Sequence, residues 1–331
     1  MPTFDFDGLF EEFRGFRVGV IGDVMLDTYI WGRVDRISPE APVPVVEVQR
    51  RDHRIGGAGN VALNLAALGA RVSVISIMGE DEEAGRLRQL LEENRVDTTL
   101  LSSSQSRITT SKTRVISRNQ HMLRMDNEMT HELAAEDEER LIGSVRRYIE
   151  TSSPRVMVLE DYNKGVLTER VITEVIALCR AKGILTAVDP KRRNFFSYRH
   201  AGIFKPNLKE VREALNIIDD ATGESELRSI HELLKERMQH EISLVTLSEK
   251  GVFCAGDDGS CIIPTHMRNI SDVSGAGDTV IAVASLAYAA TSDMRLAASM
   301  ANIAGGLVCE EVGTVAIDRD RLLQECKLLL S

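Results

Sequence analysis

The sequence predicts an α/β protein built on a mostly parallel sheet, with a small separate β-sheet beside it. Three observations carry this. Strand-like apolar runs alternate with helical periodicity through most of the 331 residues, the pattern of strands joined by crossover helices. Two glycine-rich turns each open an apolar helix. Two further strand-like stretches have no helix beside them.

In chain order, Arg17 to Asp23 reads as a buried first strand ending in Gly22 and Asp23. Residues 61–68 read as a helix, 72–77 as a strand and 81–94 as a helix. Strands follow at 156–159, 185–188, 203–205 and 244–247, and helices at 168–182, 208–215 and 225–237. The last third is helical by periodicity over 275–290, 294–309 and 319–330. The exceptions are Ala41 to Val48, whose prolines and β-branched residues suggest an edge strand, and Thr109 to Asp126. Pattern alone assigns these two only to a separate small sheet.

A chain of this length fits one α/β domain, and no internal repeat or low-complexity linker divides it. Hydrophobic content of 43% and charged content of 27% are those of a globular protein. The net charge of −10 argues against nucleic-acid binding. The five cysteines are odd in number and lack metal-ligand spacing, which fits a reducing cytoplasm. Met1 to Arg17 carries four acids and no long apolar run, unlike a signal peptide. No run of about 18 apolar residues is present to cross a membrane. There is no Gly-Lys dipeptide, and therefore no P-loop, and HExxH and GxSxG are missing too.

The most informative segment is Asp272-Val273-Ser274-Gly275-Ala276-Gly277-Asp278. Glycines ahead of an apolar helix turn the chain and aim bare N–H groups outward at the positive pole of the helix dipole, a place for a phosphate. Asp278 beside that cradle suits a base that takes a proton from a hydroxyl nucleophile. An isolated motif of this kind would more simply be an acid in a helix's first turn. The second segment runs Arg54-Ile55-Gly56-Gly57-Ala58-Gly59-Asn60. It also meets a loose dinucleotide fingerprint, but Arg50 to Arg54 makes a poor end for the buried strand that fingerprint requires.

The Gly-Ala-Gly-Asp segment resembles the C-terminal signature of the ribokinase-like (PfkB) carbohydrate kinases, with Val273 in place of the usual Thr. Gly-Gly-x-Gly-Asn resembles the N-terminal signature of the same family. The resemblance implies a ribokinase-like three-layer α/β/α fold, one kinase domain over 1–331, with lid strands inserted around 30–50 and 108–127. In this family the lid often pairs with that of a second subunit, implying a homodimer. Asp278 would be the base, with the Gly275, Ala276 and Gly277 amides stabilising the transferring charge. Gly56, Gly57 and Asn60 would hold sugar hydroxyls, and Asp23 and Asp27 would grip others in a carboxylate fork. A helix cap or surface acid stays open for Asp27, and Asp23 is the preferred ligand. Asn207 and Glu210 resemble the family's N-x-x-E motif, which organises Mg²⁺ and the phosphates of ATP; an N-cap and capping box are their plain alternatives. Thr246, Ser248 and Gly251 resemble the nucleotide loop, and Gly275 and Gly277 of the Gly-Ala-Gly-Asp segment would bind the nucleotide as well. Asn302 resembles a position near the adenine, though an ordinary helix-surface asparagine stays open. A monovalent cation such as K⁺ is allowed near residues 272–274.

From Gln105 to Met125 there are five positive residues and no acid. Arg114, Arg118 and Arg124 share parity, so one unbroken strand would put them on one face, where guanidinium forks match phosphate. A turn near Asn119 to His121 would split that face, and a charge run is often just solvated. Lys164 and Lys191 are further candidates for the substrate. Residues 36–46, 118–128 and 161–165 together resemble the D-glycero-D-manno-heptose 7-phosphate kinases, whose bifunctional members carry a following nucleotidyltransferase domain that this chain is expected to lack. Another sugar-phosphate or nucleoside kinase, or a phosphosugar-binding regulator, stays open.

Overall fold

The computed structural model describes residues 4–118, 120–217 and 223–330. Its elements run, in chain order, α1 Phe6–Glu12, β1 Arg17–Gly22, β2 Val24–Ile37, β3 Pro44–Gly57, α2 Ala58–Ala67, β4 Arg71–Met78 and α3 Glu82–Glu93. Then follow β5 Leu101–Ser103, β6 Thr110–Ser117, β7 Gln120–Asn127, α4 Ala135–Ser152, β8 Val156–Glu160, α5 Glu169–Ala181, β9 Leu185–Asp189 and β10 Ile203–Phe204. The remainder is α6 Leu208–Leu215, α7 Glu224–Met238, β11 Ile242–Thr246, β12 Val252–Gly256, β13 Gly259–Ile263, α8 Ala276–Thr291, α9 Met294–Val308 and α10 Arg319–Leu329.

Among the described residues, one sheet has nine strands in the order β13-β12-β11-β10-β9-β8-β1-β4-β5. It is parallel except for β12 and β13, which form an antiparallel hairpin at one edge. Helices cover both faces, and strand residues alternate between the two cores. Val18, Val20, Val156 and Val158 face the core shared with α2, α8 and α9. Ile21, Met157 and Leu159 face the core shared with α4, α5 and α7. Burial on both faces is why these strands read as continuous apolar runs.

A second, smaller sheet, β3-β2-β6-β7, stands apart from the first and is called the lid sheet for its expected role. Its first pair of strands starts earlier and ends later than the expected 30–50, because β2 leaves the main sheet directly after Asp23 and β3 returns as far as Gly57. Residues 50–54 therefore do belong to a strand. It is antiparallel to β2 and half exposed, not the buried parallel strand of a dinucleotide fold. Residues 109–126 divide into a hairpin with Arg118 at its turn (φ 48°). Asn119, named with that turn, lies outside the described residues. The helices Phe6–Glu12 and Ala135–Ser152, strand β5 and the β12–β13 hairpin are additions to the sequence reading.

Candidate active site

The C-terminal ends of the parallel strands form one rim, where open α/β sheets place their ligands. Asp23 follows β1, Glu160 ends β8, Asp189 ends β9, Lys205 follows β10 and Thr246 ends β11. The N-terminus of α8 points at this rim. Gly275 caps it with φ 79°, and a side chain there would sit 2.7 Å from Nδ2 of Asn60. Ala276 and Gly277 form the first turn, and a Cβ on Gly277 would lie 3.5 Å from Lys205 Nζ.

Asp278 is buried in that turn. Its Oδ2 accepts from Asn60 Nδ2 at 2.7 Å and its Oδ1 from the Tyr162 hydroxyl at 2.7 Å. Burial raises its pKa to about 6, although both hydrogen bonds favour the charged form. The pKa of Tyr162 is held far above its usual value by burial and by Asp278, so the phenol keeps its proton and donates.

Behind Asp278 lies a buried charge cluster. One oxygen from each of Glu160, Asp189 and Asp278 lies within 4.8 Å of the others. Lys205 Nζ meets Asp189 at 2.7 Å, and Lys191 Nζ bridges Asp189 at 3.0 Å and Glu210 at 2.9 Å. Burial opposes ionisation of Asp189, but the two lysines overcome it and hold its pKa below the ordinary value. Glu160 has no hydrogen-bond partner for either buried oxygen. Burial, then Asp189 and Asp278, push its pKa well up, which favours the protonated acid. Unpartnered buried carboxylate oxygen beside two further carboxylates suits a hard divalent cation. Glu160 and Asp189 would hold it.

Several expectations change here. Asp23 is a loop organiser: its carboxylate accepts the N–H groups of Tyr162 at 2.8 Å, Lys164 at 2.9 Å and Val166 at 3.1 Å. Three backbone donors leave it little capacity for a fork on sugar hydroxyls. Asp27, on β2, is the carboxylate that faces the lid, paired with Arg114 at 2.7 Å, and Gly56 lies against its Oδ2. Gly57 (φ 58°) packs on the Asp23 carbonyl where β3 turns into α2. Asn60 reaches Asp278, so one N–H of its amide serves the carboxylate. Lys191 lies in the cluster, between Asp189 and Glu210.

Asn207 and Glu210 do form a capping box on α6, each contact 2.8 Å, so the Asn207 side-chain oxygen is taken by the backbone. The carboxylate cluster, not Asn207, offers the metal-type donors. Thr246 and Ser248 line a cleft of about 1000 Å³ together with Asn207. They also border a second cavity of about 540 Å³ with Gly251, Gly277 and Asn302. Val252, Ile270, Val280 and Gly305 make that cavity apolar, and Asn302 reaches across to the Pro264 carbonyl at 2.8 Å.

On the lid, shared parity fails at the hairpin. Arg118 sits at the turn, 77% exposed, 3.6 Å from Asp35. Arg114 and Arg124 are instead direct cross-strand partners and so share a face. Arg124 forks Asp126 at 2.8 and 2.6 Å. Lys164 meets Glu128 at 2.8 Å, and Lys112 meets the same carboxylate at 3.3 Å. Tyr162, Glu160, Asp189 and Lys205 are site residues that sequence reasoning passed over. Their signal is modest: a polar residue directly after an apolar strand.

A buried carboxylate in the first turn of a glycine-capped helix, with buried Lys205 nearby and an apolar cavity reaching Gly277, is the arrangement of a phosphotransferase acting on an alcohol. The model of the pfkB family carbohydrate kinases matches residues 16–320, and the chain belongs to that family. The bifunctional protein HldE of Geotalea uraniireducens is 40% identical over 98% of this chain and 66% of its own length. HldE of Geobacter metallireducens is 41% identical over 94% of this chain and 63% of its own. The chain thus spans just under two thirds of these relatives. Phosphofructokinase-2 from Escherichia coli, in complex with potassium, superposes with TM-score 0.77 at 18% identity, covering 95% of this chain and 98% of that one. Arabidopsis thaliana ribokinase, complexed with ribose and ATP, gives 0.73 at 16%, covering 96% and 99%. The fold is ribokinase-like.

Proposed function

We propose that this chain transfers the γ-phosphoryl group of ATP to the C1 hydroxyl of D-glycero-D-manno-heptose 7-phosphate, giving the 1,7-bisphosphate and ADP. The observation that carries the reading is the pairing of Arg114 with Arg124 on one lid face, with Lys112 and Lys164 beside Glu128. These cations are held by Asp27, Asp126 and Glu128, and gathered on the lid they suit a substrate whose own phosphate would share them. The resemblance of residues 36–46, 118–128 and 161–165 to heptose 7-phosphate kinases, and the HldE relatives, support the same substrate.

Asp278 takes the proton of the C1 hydroxyl as its oxygen forms a bond to the γ-phosphorus. The bond from that phosphorus to the β–γ bridging oxygen breaks, and ADP leaves with the electron pair. The N–H groups at the start of α8 and the ammonium of Lys205 face the transferring charge. Tyr162 and Asn60 hold the Asp278 carboxylate in place. Mg²⁺, when bound, would neutralise charge on the ATP phosphates. The apolar cavity around Asn302 suits an adenine ring. K⁺ near residues 272–274 belongs to the same proposal, as does a homodimer closed by the lids. The lid exposes Ile37, Val43, Val48, Leu123 and Met125. A cytoplasmic location belongs to it as well, since five free cysteines fit a reducing compartment.

The test is ATP-dependent ADP release over a panel of sugar phosphates and nucleosides. Release with heptose 7-phosphate far above the rest supports the reading. A stronger response to another sugar phosphate or a nucleoside replaces the substrate. Binding without turnover across the panel would indicate a regulator.

A further inference from the structure

A continuous set of contacts runs from the lid to the helix that carries Asp278. Asp27 and Arg54 are cross-strand partners on β2 and β3. Asp27 pairs with Arg114, and the guanidinium groups of Arg114 and Arg54 lie 5.1 and 4.9 Å from the ring centre of the same side chain, Tyr29. Arg54 Nη1 then leaves the lid and donates to the carbonyls of Val312 at 2.5 Å and Thr314 at 3.3 Å. Between those carbonyls, the Gly313 N–H donates to Asp272 Oδ2 at 2.9 Å. The other oxygen of Asp272 accepts the N–H of Ser274 at 2.9 Å and its hydroxyl at 2.8 Å. Ser274 is the residue before Gly275, where α8 begins.

We propose that Arg54 is a positioning residue that ties the lid, through residues 312–314 and Asp272, to the turn that holds the transferring phosphate. The proposal rests on the kinase reading above. The junction is built tightly. Gly313 has φ 73°, and a side chain there would meet Arg54 Nη1 at 2.6 Å and the Tyr29 hydroxyl at 2.8 Å. Tyr29 is 1% exposed, and its hydroxyl lacks a hydrogen-bond partner, so the ring is held by the two guanidinium groups and by packing. The Asp272 carboxylate stays ionised at this junction. Burial opposes its charge, but the donors from Ser274 and Gly313 outweigh burial and keep its pKa low. A change at Asp27 and Arg114 when a substrate enters would therefore reach the turn at Gly275 through Arg54. Spatial continuity is only a route, and the physical content is a coupling that can be measured.

Arg54→Ala and Arg54→Lys are compared with wild type in steady-state phosphorylation. Loss of a charge-assisted contact should lower kcat about tenfold to a hundredfold, with each KM changed by less than about threefold. Lysine should restore only part, since it keeps the charge and can donate to the carbonyls but loses the flat guanidinium stacked on Tyr29. Added guanidinium ion should recover part of the activity of Arg54→Ala. Tyr29→Leu, which keeps Arg54 but removes the ring, should show the same split in a milder form. A second readout is independent of turnover. Trp31, the sole tryptophan, lies on β2, so adding adenylyl imidodiphosphate should change its emission in wild type and much less in the Arg54 variants. If Arg54→Ala does not fold, Arg54→Lys takes its place in both readouts. A kcat within twofold of wild type, both KM values raised with no kcat effect, or a Trp31 response that is absent in wild type or equal in the variants would overturn the proposal. A wild type inactive on every sugar phosphate would instead defeat the substrate reading, and the emission comparison would still decide Arg54.

Discussion

Asn60 and Asp278, 218 residues apart in sequence, share a 2.7 Å hydrogen bond from Nδ2 to Oδ2. That bond joins the two glycine-rich turns into one site. It also favours the charged carboxylate against burial, which alone would push the proton affinity of Asp278 higher still.

Asn60→Leu should therefore raise the pKa of Asp278. A base must be deprotonated to work, so kcat/KM should fall as pH drops through about 6 in wild type. In the variant that acid limb should move up by about one unit, following the loss of a charge-assisted hydrogen bond. A pH–rate profile checks this; an unmoved limb would remove Asp278 as the titrating group.

Asp278→Asn keeps the shape and cannot accept a proton. kcat should fall about 10²- to 10⁴-fold while calorimetric binding of ATP and sugar phosphate stays near wild type.

Arg124→Ala and Arg114→Ala should raise KM for the phosphorylated sugar, with kcat/KM down roughly tenfold to a hundredfold, and leave KM for ATP nearly unchanged. Arg118→Ala should differ little from wild type, since Arg118 sits exposed at the hairpin turn. Equal damage to the unphosphorylated heptose would assign Arg124 to lid folding and not to phosphate recognition.

An open lid sheet exposes strand edges and apolar side chains, which pairing with a second lid would cover. Light scattering should give a dimer, and Leu123→Asp, at a position 54% exposed on β7, should yield monomer with reduced activity. A wild-type monomer at all concentrations would end this reading.

The two glycine turns were legible in the sequence because turn chemistry is local: Gly275 and Asp278 need only their neighbours to be recognised. The parallel strands were legible because burial on both faces makes them continuously apolar. Glu160, Asp189 and Lys205 were not, since three separate strand ends bring them together and each looks like an ordinary polar boundary residue. Alternation also failed on the lid. A left-handed residue at Arg118 reverses the chain, so parity along the sequence no longer maps to one face. Asp23 misled for a related reason: its place at a strand end was legible, but the backbone donors that consume its carboxylate come from residues 162–166.

The most direct measurement is ³¹P NMR of the product formed from ATP and D-glycero-D-manno-heptose 7-phosphate. The account predicts ADP and, in equal amount, a sugar bearing its original phosphate and a new one coupled to the anomeric proton. An unchanged sugar signal with intact ATP, or a new phosphate on any carbon other than C1, would contradict it.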